Sequence, residues 1–99
     1  MDIVAWNWKA GGSASSNGDG DVTASVSANT TAGFSIVKFT ASSSSGNMTV
    51  GHGLGATPKM VIVKDIGATG NWQTYFEGIG TANQQYLKLN ATSAVSNIS

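Results

Sequence analysis

The feature that most constrains this chain is a period of two. In Asp2–Lys9, Val4, Trp6 and Trp8 fall on one side and Ile3, Ala5 and Asn7 on the other. In Asp21–Ala28, Val22, Ala24, Val26 and Ala28 alternate with Thr23, Ser25 and Ser27. Successive side chains of an extended strand point to opposite faces, so such alternation marks half-buried β-strands. Phe34–Thr40 and Lys59–Asp65 are dense in β-branched and aromatic residues, Trp72–Glu77 alternates again, and Gln85–Asn90 closes the series; Met48–Val50 adds a short strand. Turn-forming segments rich in Gly, Asn and Ser separate these runs: Gly11–Gly20, Asn29–Gly33, Ala41–Asn47, Gly51–Pro58, Ile66–Asn71 and Gly78–Asn83.

No segment carries a helical period, and abundant Gly, Ser and Thr disfavours helix. The expected fold is all-β: a small antiparallel β-sandwich or open barrel of about seven short strands. A strand exchanged between subunits could complete it. The expected organisation is an N-terminal strand at 1–10, a Gly/Ser-rich linker at 11–21 and a β module at 22–99. With 99 residues the chain has room for one thin core.

Composition narrows the functional classes. The chain has no cysteine, so it has neither a disulfide framework nor a thiolate for catalysis or metal binding. Its five cations are all lysine (Lys9, Lys38, Lys59, Lys64, Lys88), scattered along the chain and balanced by five acids. A nucleic-acid backbone needs clustered cations, so no nucleic-acid partner is expected. Only 10% of residues are charged and the net charge is zero, so electrostatics does not keep copies apart and self-association is expected. The N-terminus lacks the basic-then-apolar pattern of a signal peptide, and no apolar run approaches membrane-spanning length.

Few residues could carry chemistry. His52, the single histidine, sits between Gly51 and Gly53 in a turn. Hydrogen bonding within that turn is the plain reading; metal bridging at a trimer axis is the alternative. Asn17, Asp19 and Asp21 have the spacing that opens a calcium loop, but Val22 stands where that loop needs glycine and Ala28 where it needs glutamate. Turn chemistry accounts for NGDGD equally well. The aromatics serve a core or a subunit contact first, with stacking on sugar rings the alternative. The expectation is therefore a non-enzyme without catalytic, cofactor or metal residues. Trp6, Trp8, His52, Trp72 and Tyr75 are the candidates for ligand or subunit contact.

Four strings also carry a family likeness: VAWNWKAGG at 4–12, VSANTTAGFSIVKFT at 26–40, VGHGLGATPKMVIVK at 50–64 and YLKLN at 86–90. Together they resemble a repeat module of bacteriophage tail-fibre and virion-associated proteins of marine and metagenomic type. The resemblance implies β-rich modules in tandem, with no catalytic residue to carry over. It also implies that VAWNWKAGG ends one module, that FSIVKFT opens the next, and that further strands follow YLKLN. The chain is thus expected to straddle a module boundary and to leave a sheet edge for a partner. The implied function is a structural, viral protein of the virion, made in the host cytoplasm: a tail-fibre or appendage module that assembles as a homo-oligomer (trimer or filament) with other virion proteins. The alternative is a host-attachment module that recognises a bacterial surface glycan.

Overall fold

A computed structural model of the protein describes residues 1–41, 46–79, 85–92 and 94–97. The chain divides into two compact units, Met1–Ala56 and Thr57–Ser99. The fold is all-β and antiparallel, with no helix among the described residues. Its two sheets match the two-sheet composition of a small sandwich.

The first unit holds a three-stranded sheet in the order β1-β2-β3, made of β1 (Ser15–Asn17), β2 (Ala24–Asn29) and β3 (Phe34–Lys38). The register pairs Asn17 with Ala24 and Val26 with both Ser15 and Val37. One face therefore carries Asn17, Ala24, Val26, Ala28 and Val37; the other carries Ser25, Ser27, Asn29, Phe34 and Ile36. The β2–β3 turn is closed by Asn29, whose carboxamide oxygen accepts from Ala32 N–H (3.1 Å) and whose carbonyl accepts from Gly33 N–H (2.8 Å).

Ala24 and Val26 are the buried apolar residues of this unit, and Ser27 is buried with them. The cover on each face of β2 is largely main chain. On the first face lies the 51–54 turn: Ser35 Oγ donates to His52 C=O at 2.6 Å, and a Cβ on Gly53 would stand 3.2 Å from Ala28 Cβ and 3.3 Å from Val26 Cγ1. On the second face lies the 8–12 segment. Ser27 Oγ accepts from Gly11 N–H at 3.0 Å and donates to Gly12 C=O at 2.6 Å, while Asn29 Nδ2 donates to Lys9 C=O at 3.2 Å. Gly11 comes so close that a Cβ there would collide with Ala28 O.

The second unit holds a sheet in the order β4-β5-β6-β7: β4 (Met60–Val63), β5 (Gln73–Phe76), β6 (Gln85–Lys88) and the two-residue β7 (Ser96–Asn97). Met60, Ile62, Thr74, Phe76 and Leu87 share one face; Val61, Val63, Gln73, Tyr75 and Lys88 share the other. Thr74 is buried, whereas all four residues of β4 are exposed.

The strands expected at Asp21–Ala28, Phe34–Thr40, Lys59–Asp65, Trp72–Glu77 and Gln85–Asn90 become β2 to β6, each shorter than its run. Three expectations are corrected. Residues 1–10 form no strand: Lys9 C=O is held by Asn29 Nδ2 and Trp8 by the ring of Phe34, neither of which is a ladder bond. The expected linker 11–21 contains β1, a serine-rich strand held by pairing with β2. Met48–Val50 contributes only one parallel bridge, Val22 to Val50. The serines Ser42–Ser45 and part of the expected turn Gly78–Asn83 lie outside the described residues.

Gly53 has a φ of 73°, where a side chain costs about 1–2 kcal/mol, and it has little room above Val26 and Ala28. Gly53→Ala is expected to destabilise the first unit by about 1–2 kcal/mol, and Ser27→Ala by about 1–3 kcal/mol because two main-chain partners lose their bond. Urea titration of each variant checks this; unchanged midpoints would show that the two covering segments contribute nothing to stability.

Candidate functional site

In the first unit, Trp8 lies flat against Phe34 with ring centroids 5.8 Å apart and planes 15° from parallel. Phe34 is on the same sheet face as Ser27 and Asn29, so the stack continues the anchoring of the 8–12 segment. Trp6 takes no part in it and is 71% exposed; Ile3 and Val4 are exposed with it. The apolar stripe expected from Val4, Trp6 and Trp8 is thus divided: Trp8 rests on Phe34 while staying 60% exposed, and Trp6 has no ring contact among the described residues.

His52 is half-buried in its turn. Its Nδ1 accepts from Leu54 N–H at 3.1 Å and its carbonyl accepts from Ser35. The ring shapes the turn through Nδ1, the plain reading of a histidine between glycines. Turn chemistry also accounts for NGDGD: Asn17 Oδ1 accepts from Asp19 N–H at 2.9 Å. Asp21 forms a clamp that sequence reasoning missed. Its Oδ2 accepts from both the N–H and the Oγ1 of Thr49 at 2.9 Å, and its own N–H donates to Thr49 Oγ1 at 3.0 Å. The partners are 28 residues apart, so no local spacing could have disclosed them. Among the described residues no group of three or more His, Asp or Glu side chains could hold a metal ion. An open groove at one end of this sheet is lined by hydroxyls and by Lys38 and Phe39, with no acid or histidine.

In the second unit, Trp72 precedes β5. Its N–H donates to Asn90 Oδ1 (2.9 Å) and its C=O accepts from Leu89 N–H (2.9 Å), which carries the β5–β6 ladder one step further. Asn90 Nδ2 also reaches Asn71 Oδ1 at 3.2 Å, fixing the backbone while the Trp72 ring stays exposed. Tyr75 is half-buried opposite Val61. Trp72, just before β5, and Tyr75, within it, are an odd number of residues apart, so they fall on opposite sides of the extended chain.

The larger surface in this unit is one that alternation could not single out. β4 is an edge strand, and its residues Met60, Val61, Ile62 and Val63 are 53%, 40%, 40% and 49% exposed. Beside it, Lys59 Nζ meets Glu77 Oε2 at 3.1 Å, an exposed ion pair of small energetic weight.

A family model described as a domain of unknown function, DUF7483, matches residues 1–99. The chain belongs to the DUF7483 family. The match takes in the N-terminal Trp-bearing segment together with both sheets of this DUF7483 domain. No curated protein and no solved structure matches the chain. Among the described residues no helix is long and apolar enough to cross a membrane.

The two N-terminal tryptophans should separate experimentally. Trp8→Ala removes the stack on Phe34 and is expected to cost about 1 kcal/mol of stability. Trp6→Ala is expected to stay within about 0.5 kcal/mol of the parent. Denaturation followed by circular dichroism checks both; equal effects would contradict the division of the stripe.

Proposed function

We propose that this DUF7483 domain is a non-catalytic structural module of a bacteriophage tail fibre or virion appendage, and that it works by self-association. One observation carries the assembly part of this reading. The edge strand β4 presents Met60, Val61, Ile62 and Val63 at 40–53% exposure, and Ile3, Val4 and Trp6 are 71–78% exposed. Apolar side chains left uncovered on an unpaired strand and on a terminal segment are what a second copy would cover.

A chain with no net charge and no arginine offers little repulsion to another copy. The tail-fibre assignment rests on the four strings at 4–12, 26–40, 50–64 and 86–90, on the all-β fold, and on the lack of clustered acids or histidines among the described residues. The exposed rings of Trp6 and Trp72 favour a second reading, recognition of a host surface glycan, because an uncovered indole can stack on a sugar ring.

Light scattering on the full chain tests the first reading. At about 100 µM, far above the dissociation constant of an ordinary interface, the mass is expected to be a multiple of 10.0 kDa. A mass of 10.0 kDa at that concentration would overturn it. An antibody to the domain should label appendages of phage particles in electron micrographs. A glycan array separates the second reading: saturable binding lost in Trp72→Ala supports it, and no binding to any host polysaccharide removes it.

A further inference from the structure

We infer that β4 is the self-association edge: β4 of one copy pairs antiparallel with β4 of a second copy about a two-fold axis through Ile62, with Lys59 of each copy facing Asp65 of the other. The inference rests on the self-association reading above and adds the contact that produces it.

Backbone phase supplies the first step. Glu77 N–H donates to Lys59 C=O at 2.7 Å, so Lys59 and Glu77 form a hydrogen-bonded pair across β4 and β5. Such pairs alternate along an antiparallel ladder. Val61 and Val63 therefore turn their N–H and C=O towards β5, while Met60, Ile62 and Lys64 turn theirs to the open side of the sheet. Only these outward residues can bond to a second strand. For two identical strands this excludes every register that sets an outward residue against an inward one, including the register that would oppose Lys59 to Lys64 of the other copy.

Charge supplies the second step. In KMVIVKD, Lys59 and Asp65 lie three residues either side of Ile62. Centring the pair on Ile62 opposes Met60 to Lys64, Val61 to Val63 and Ile62 to Ile62, and sets Lys59 against Asp65 twice. This phase-allowed register makes about six main-chain hydrogen bonds across the axis. Asp65 Oδ1 already accepts from Gly67 N–H at 2.8 Å, and the second carboxylate oxygen faces no partner given by a hydrogen bond among the described residues. Lys59 would then stand between its own Glu77 and the second copy's Asp65. On each side of the sheet the β4 side chains gain cross-strand neighbours from the second copy, which reduces, from the edge, the 40–53% exposure they have in the single chain. The contact is isologous, so it closes at two copies and builds longer assemblies only through another surface.

Because the chain has no cysteine, one introduced thiol reports the register. Ile62→Cys places two sulfurs on residues whose Cα atoms are about 5.5 Å apart, within disulfide reach. Met60→Cys separates them by about 13 Å. Mild oxidation should therefore cross-link Ile62→Cys and leave Met60→Cys uncross-linked. Asp65→Lys and Lys59→Asp should each weaken self-association about tenfold by sedimentation at low salt, because each sets like charges opposite one another. An equimolar mixture of the two variants restores both opposite-charge pairs and should associate as the parent does, which a folding defect could not produce. If the parent self-associates but Ile62→Cys does not cross-link, or the mixture fails to recover, the β4 contact is overturned while the assembly reading stands. If the parent is a monomer throughout, both are overturned.

Discussion

The first unit depends on how little side-chain volume its central strand offers. β2 reads ASVSAN, and its buried residues are Ala24, Val26 and Ser27. Such a strand cannot be packed by interdigitating large side chains. What covers it instead is peptide backbone brought to contact distance, Gly53 above Val26 and Ala28 and Gly11 against Ala28. Backbone at that distance brings polar groups that must be satisfied. The polar residues of β2 and β3 therefore face the covering segments: Ser27 bonds to both Gly11 and Gly12, Asn29 to Lys9, and Ser35 to His52. The hydroxyl-rich composition and the glycine placement express one packing solution.

That solution explains what could be read in advance. Runs rich in β-branched, aromatic and aliphatic residues located β3, β4 and β6, and alternation located β2 and β5. It misassigned Ser27, which reads as an outward polar residue until the 8–12 segment is seen to lie over it. It missed β1, whose sequence SSN has no apolar residue and whose strand state is imposed by its partner. It drew a strand through Val4, Trp6 and Trp8, yet alternation shows only that a segment could lie on a sheet, not that a neighbour exists to pair with it. Of the candidate contact residues, Trp8 and His52 have structural roles in the first unit, through the Phe34 stack and the Leu54 bond. Tyr75 is half-buried, and Trp6 and Trp72 keep exposed rings.

The second unit poses the reverse problem. A run such as MVIV, apolar at every position, suits a strand with both faces covered. Here the run occupies an edge and neither face is covered. Natural edge strands usually avoid unwanted pairing by carrying charges, proline or bulges within the strand. β4 carries none of these between Met60 and Val63; its nearest charges, Lys59, Lys64 and Asp65, stand at its ends. Charges placed there leave the strand free to pair and restrict which partner it accepts and in which register. Edge position is a property of topology, so no reading of the strand's own residues could disclose it. Once the topology is known, the same residues that made Lys59–Asp65 the clearest strand in the sequence become the clearest unmet demand for a partner.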